Sequence, residues 1–193
     1  MGKYDQLNEI ETTNQAICFT DQNFTSKTWE VRKIFFQPKI FRKIKICPHL
    51  FLPDHHQNIW IDGNISPVDI DSFIENKSGF WIMDHPHRKC IYQEALRCIE
   101  SGKDAWDVIS QQVDRYRMAG YPSNEGMITS SVLIRDNDQK TRNFSQAWWN
   151  EVSQYSVRDQ LSFNFVAWKL KLRYQTFPFL QGFNVHQHLS YTD

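Results

Sequence analysis

An α/β architecture with a mostly parallel central sheet is what the sequence predicts, and three observations carry that expectation. Short apolar runs stop abruptly at polar clusters, namely Thr20-Asp21, Asp62-Gly63-Asn64 and Asp84-His85-Pro86-His87-Arg88. These runs alternate with stretches whose apolar residues recur at helical spacing, the pattern of helices laid on a sheet. In such sheets ligands bind beyond the carboxyl ends of the strands, so the three clusters are expected along one sheet edge.

The elements follow in order. Residues 1–11 are polar, with Gly2-Lys3-Tyr4-Asp5-Gln6-Leu7 as their one pattern. Residues 15–20 (QAICFT) read as a buried strand, and residues 28–35 (TWEVRKIF) alternate like a second. Residues 38–48 predict a short basic helix with Ile40, Phe41, Ile44 and Ile46 on its apolar side. A proline-bracketed connection at 48–53 leads to the strand 59–61, which ends at a cleft with Asp62. Residues 67–76 predict a short helix and 79–83 a strand. Helical spacing covers 89–100 and, after Ser101-Gly102, resumes over 104–119 until Gly120 closes it. Residues 131–135 predict a strand, 143–155 a Trp-rich helix and 159–172 a longer amphipathic helix, before an aromatic and polar tail. Neither an internal repeat nor a low-complexity stretch divides the chain, so residues 1–193 are expected to form a single domain.

Composition narrows the function classes. A chain of 193 residues is long enough to bury a sizeable core. Aromatic residues reach 15%, with seven Trp and fourteen Phe, enough to furnish a core and to line a ligand cleft. Lys+Arg and Asp+Glu balance at 22 each, which argues against a general nucleic-acid or membrane-surface binder. Lys33, Lys39, Arg42, Lys43 and Lys45 cluster without an acid among them, as suits either a diphosphate partner or a solvated face. Cys18, Cys47, Cys90 and Cys98 lack C-x-x-C spacing and read as reduced thiols of a cytoplasmic protein. Neither a leader-like pattern nor an apolar segment of membrane-spanning length is read in the sequence.

Each constellation has a chemical and a plain reading. Asp62 and Asn64 offer two oxygen ligands flanking a glycine that lets the backbone approach a bulky anion. The same tripeptide also suits a type I′ hairpin turn. Arg88 has the fork to grip a phosphate, while His85 and His87 can ligate or contact a hydroxyl. With His186-x-His188 they form two H-x-H pairs, which opens a zinc-hydrolase reading. Asp159 at a helix start is a natural cap and dipole partner, or with Gln160 a cleft residue. Trp148-Trp149 is a core pair or a stacking platform. Glu125, in the loop 121–126, is an acceptor contact or a solvated turn residue.

In chain order the blocks are G-K-Y-D-x-L, C-F-T-D, T-W-E-V, I-W-I-D-G-N-I, H-P-H-R-x-C-I-Y-x-E-A, Q-x-x-x-Y-x-x-x-G-Y-P, W-W-N-E-V and S-x-R-D-Q-L-S-F. Together, over residues 2–169, they resemble the glycosyltransferase-like family of plant mucilage-related hexosyltransferases and bacterial and viral surface-polysaccharide proteins. The resemblance implies a GT-A-like fold, a nucleotide-sugar donor (a UDP-hexose first), a Mn or Mg cation and a glycan acceptor. By motif it implies Thr20 and Asp21 near the nucleotide base, and Arg42 and Lys45 near the diphosphate. Asp62 and Asn64 would hold the metal, with His186 or His188 completing its shell. His85, His87 and Arg88 would line the donor or acceptor side. Asp159 and Gln160 would act on the transferred sugar, and Asn164 completes a D-Q-x-x-x-N element with them. The resemblance also implies an apolar strand ahead of Gly2. Only Met1 precedes Gly2 here, so the sheet is expected to lack that strand, leaving an edge for a partner domain or subunit to cover. That departure raises a second alternative, a catalytically inactive sugar-binding or scaffold subunit.

Overall fold

The computed structural model describes residues 7–35, 37, 39–52 and 54–186. Their strands are β1 (Ala16–Thr20), β2 (Trp29–Lys33), β3 (Gln57–Ile61), β4 (Ile65–Pro67), β5 (Phe80–Asp84), β6 (Ile128–Asp136), β7 (Gln175–Phe177) and β8 (Phe183–Val185). Their helices are α1 (Ile40–Ile46), α2 (Ile70–Ile74), α3 (Ile91–Glu100), α4 (Trp106–Met118), α5 (Gln139–Gln154) and α6 (Asp159–Leu170), with a 3-10 turn at Pro48–Leu50. The fold is mixed α/β, with a four-stranded sheet in the order β3-β6-β5-β7 flanked by helices.

The expectation of a mostly parallel sheet is corrected. β6 runs antiparallel to both β3 and β5, and the β5–β7 pair is parallel. The reason lies in the connections. One crossover helix returns the chain to the end where the last strand began and yields a parallel neighbour. Two antiparallel helices bring it back to the end it left. α3 and α4 do this between β5 and β6, and the His85 N–H donates to the Met127 carbonyl at 3.0 Å where β5 leaves and β6 is about to begin. α5 and α6 do the same between β6 and β7. As a result β3, β5 and β7 share a direction, and β6 alone is reversed.

β1 and β2 do not join this sheet; they pair in parallel with each other. Most of their residues are only partly buried, as suits a small sheet beside the core rather than strands inside it. Of the three polar clusters expected on one edge, those after β3 and β5 share a sheet end, and Thr20-Asp21 belongs to the smaller sheet.

Side-chain alternation along the strands separates two cores. Phe80, Ile82 and Leu133 face the helices α3–α6, while Met83 and Val132 face the opposite side with Ile70, Phe177 and Phe183. α6 was expected to be amphipathic but is buried on every side through Ala167, since its first turns pass between the other helices and the sheet. Phe165 on α6 stacks on Tyr116 at 3.8 Å between ring centroids.

Two cations fix α1, which carries Arg42 and Lys45. Lys39 Nζ donates to the carbonyls of Val152, Ser153 and Tyr155 at 2.8, 3.0 and 3.2 Å, capping the C-terminal end of α5. The buried Arg135 of β6 donates to the Lys45 carbonyl, to the Ile46 carbonyl at 3.4 Å and to Asn58 Oδ1 at 2.9 Å. A guanidinium there satisfies carbonyls that the end of α1 leaves open.

Candidate functional site

The site lies where β3 and β5 end and α6 begins. At the end of β3 the chain turns, and the Ile65 N–H donates to the Asp62 carbonyl at 2.9 Å. The following strand, β4, pairs with β8 instead of folding back on β3. Asp62-Gly63-Asn64 is therefore a turn, but not the tip of a hairpin: it passes the chain from one sheet to another. Beside it, between β1 and the β3 edge, lies a cavity of about 1150 Å³ whose wall includes Phe19, Arg42, Trp60, Asp62, Asn64 and Ser66. The N-terminal stretch forms part of its rim, where Asn8 donates to Ser66 Oγ at 3.0 Å.

A buried ion-pair hub supports this wall from beneath. Lys45 is 1% exposed, and its Nζ lies 3.0 Å from Asp159 Oδ2, 3.3 Å from Asp62 Oδ1 and 2.9 Å from Ser130 Oγ. Arg42 reaches Asp159 Oδ2 at 3.8 Å, and the Trp60 indole N–H donates to Asp62 Oδ1 at 2.6 Å. Burial opposes the charged form of Asp159, but Lys45 and Arg42 together outweigh it and hold the carboxyl well below the usual carboxylate range. Ser130 is brought to the hub by an irregularity in β6. Between the pairs Ile82–Leu133 and Met83–Thr129, residues 130–132 bulge out of register with β5. Lys45, expected against a diphosphate, is thus a buried counter-ion below the cavity, and of the two cations Arg42 is the one that lines it.

A second hub lies at the end of β5. His85 Nδ1 accepts the backbone N–H groups of His87 and Arg88 at 3.1 and 3.0 Å, so the ring proton belongs on Nε2, which has an Arg88 guanidinium nitrogen 3.2 Å away and Glu94 Oε2 at 3.5 Å. Burial lowers the His85 pKa; Glu94 opposes that shift, and Arg88 and His87 add to it. Arg88 and Gln160 also donate to the Glu94 carboxylate. The consecutive residues Asp159 and Gln160 therefore tie α6 to both strand ends, one through Lys45 and the other through Glu94.

These contacts also correct the zinc reading at His85-x-His87, because backbone donors occupy one nitrogen of His85 and the other faces a buried carboxylate. His87 itself is exposed. Trp148 is corrected from the cleft to the core: it is fully buried, its indole N–H donating to the Asp159 carbonyl at 2.9 Å and Ser162 Oγ at 3.1 Å. Trp149 packs partly buried against the same core, with Lys43 Nζ 5.8 Å from its ring centroid. Asn164 is buried and donates to the Tyr174 hydroxyl at 3.1 Å, while Glu125 is exposed in its loop. Thr20 is buried with its hydroxyl accepting the Gln22 N–H at 3.0 Å, and Asp21 Oδ1 accepts from the Gln22 side chain at 2.8 Å. Of β1 the cavity lining takes Ala16, Ile17, Cys18 and Phe19, and stops short of both. His188 and residues 2–6 lie outside the described residues.

Sequence reasoning missed Glu94, Ser130 and Trp60. Glu94 had a signal: it sits on the buried stripe of α3 with Ile91, Ala95 and Cys98. A carboxylate at such a position needs partners.

The chain's fit to a divalent cation rests on the donors around Asp62. The β4–β8 pair brings His186 beside the turn, its N–H donating to the Asn64 carbonyl at 2.8 Å and its Nε2 lying 2.8 Å from Ser66 Oγ. One carboxylate and one amide oxygen suit Mn or Mg in kind; the His186 imidazole, its Nε2 engaged with Ser66, is a softer donor than either ion prefers. Among the described residues no group of three or more His, Cys, Asp or Glu forms a metal site by itself. These donors come from one turn and the strand beside it, and a cation there would take its remaining ligands from the oxygens of a bound molecule.

Two comparisons bear on this arrangement. The TOD1/MUCI70, glycosyltransferase-like domain family matches residues 21–189. A relative described as "Probable hexosyltransferase MUCI70", from Arabidopsis thaliana, is 31% identical over 140 residues, which is 65% of this chain and 24% of the relative. The chain spans about a quarter of that relative's length.

Proposed function

Because the chain belongs to the TOD1/MUCI70 glycosyltransferase-like family, we propose that it transfers a hexose from a nucleotide-sugar donor, a UDP-hexose first, to a polysaccharide or glycan acceptor. The observation that carries this reading is the Asp62-Gly63-Asn64 turn opening on a large cavity that Arg42 also lines. Glycosyl transfer expels a nucleoside diphosphate, so the site must meet negative charge that grows in the transition state. Arg42 offers a guanidinium for it, and Phe19 with Trp60 offers apolar and aromatic surface along the cavity.

Asp62, Asn64 and His186, with His188 of the tail, would hold a Mn or Mg ion together with donor oxygens. Bound there, the cation would supply Lewis-acid stabilisation of the leaving diphosphate. The protein's part is positioning. Lys45 and Trp60 both engage Asp62 Oδ1, which leaves a cation the other carboxylate oxygen, and Asp159 anchors Arg42 and Lys45 in turn. Gln160 and the His85–Arg88 loop serve the sugar and acceptor side. Among the described residues no helix is long and apolar enough to cross a membrane. The buried thiols Cys18, Cys47, Cys90 and Cys98 suit a reducing compartment, which is why we place the chain in the cytoplasm.

The test is release of nucleoside diphosphate from a panel of UDP- and GDP-sugars, with Mn or Mg and with oligosaccharide acceptors. Release from at least one donor that rises with acceptor is expected. Donor binding without release under every pairing would replace transfer by the sugar-binding reading.

A further inference from the structure

We propose that Glu94 is a positioning residue that holds Gln160 and the His85–Arg88 loop in one fixed arrangement at the sheet end. The inference rests on the glycosyl-transfer reading for what those side chains serve. Donors from three separate parts of the chain converge on this one carboxylate. Oε1 accepts from the Gln160 carboxamide of α6 and from Cys98 Sγ of α3 at 3.5 Å. Oε2 accepts from Arg88 and lies 3.5 Å from the protonated nitrogen of His85, both in the segment after β5. The Glu94 side chain is 5% exposed, so water has little access to stand in for a lost acceptor.

An acceptor-only group is required here. All four neighbours present hydrogens, and only an ionised carboxylate accepts at both oxygens without presenting a hydrogen of its own. In Glu94→Gln one oxygen becomes an NH2 group of nearly the same size. If it faces Gln160, donor meets donor, and the contact re-forms only by turning the Gln160 carboxamide over, which changes the group it presents to the rest of the site. If it faces Arg88 and His85, the link to the loop opens. Either way one arm is lost or reoriented while the volume is kept. The α3 N-terminus favours the negative charge as well, since Glu94 lies in the first turn. A displacement of about 1 Å at a reacting centre lowers turnover about 100-fold.

The experiment is a double-mutant cycle on the full chain, with Glu94→Gln, Gln160→Ala and the pair, measuring kcat and donor KM with the donor that wild type uses. The Gln160 carboxamide signals are followed by NMR in wild type and Glu94→Gln. Glu94→Gln is expected to lower kcat about 10- to 100-fold with donor KM within about threefold of wild type. Added to Gln160→Ala it should lower kcat by less than about threefold more, because it acts through the same side chain. Wild-type kcat in Glu94→Gln, or effects that multiply in the pair, would overturn the proposal. Should Glu94→Gln fail to fold, Glu94→Asp takes its place, since it keeps the charge but cannot span both arms. If wild type turns over no nucleotide sugar, the transfer reading falls and the NMR arm decides. Carboxamide protons protected from exchange in wild type and exposed in Glu94→Gln would support the positioning role; equal protection in both would overturn it.

Discussion

Lys45→Met is expected to lower the stability of the fold by about 3–5 kcal/mol, the usual effect of removing one partner from a buried ion pair. The ammonium lies between Asp159 Oδ2 at 3.0 Å and Asp62 Oδ1 at 3.3 Å. Without it two carboxylates share a poorly solvated space, and Arg42, 3.8 Å from Asp159, is the nearest remaining cation of the hub. Asp159→Asn should be milder, because Lys45 then keeps Asp62 as its counter-ion. This asymmetry is the informative part. Urea unfolding of both variants at neutral pH, with unchanged dependence on denaturant, measures it directly. A loss below about 1 kcal/mol for Lys45→Met would be the behaviour of an exposed pair and would contradict the buried hub.

The second large effect is expected at Trp148. Trp148→Ala should destabilise by about 3–5 kcal/mol, as large aromatic truncations in a packed core do. Its ring packs against Phe144 and Phe163, with centroids 5.8 and 5.1 Å away. Trp148→Phe keeps most of that packing and removes the indole N–H; the Asp159 carbonyl retains the Ser162 hydroxyl as a donor at 3.0 Å, so the loss is that of one hydrogen bond, about 1 kcal/mol. Because that carbonyl belongs to the first residue of α6, the variant should also lower turnover through Asp159 and Gln160. A stacking platform for sugar would behave otherwise: Trp148→Ala would raise substrate KM and leave the unfolding midpoint unchanged. Thermal melts and steady-state kinetics on the two variants separate these outcomes.

Much of the fold was legible in residue patterns. Strand ends at Asp62 and Asp84 followed from apolar runs that stop at charged residues, and the break at Ser101-Gly102 marked two helices between β5 and β6. Strand direction was legible in principle too, since an even number of helices returns the chain to the end it left; periodicity alone does not carry direction. β7 and β8 were missed because three residues each, in an aromatic and polar tail, leave no alternation to read. The start of α5 was placed too late because Asp138 looked like a turn residue, whereas its side chain accepts the Thr141 N–H at 2.7 Å and caps the helix.

The site was legible by residue more than by arrangement. Asp62, Arg42, Asp159 and Gln160 stood out by type and position, but which of them meet depends on contacts between distant segments. Lys45 looked like one more member of a basic cluster. Its burial follows from Ser130 and Asp159, neither of which the local sequence around α1 reveals. Glu94 was passed over although its place on the apolar stripe of α3 marked it as a carboxylate in need of partners.

Hexose transfer by this chain requires a nucleotide-sugar site at the Asp62-Gly63-Asn64 turn. Calorimetric titration of UDP and GDP, each with and without Mn, on wild type and on Asp62→Ala tests it most directly. Manganese-dependent binding of one nucleotide that disappears in Asp62→Ala is the predicted result. Equal binding by a cooperatively folded Asp62→Ala variant, or no binding of either nucleotide by wild type, would contradict it.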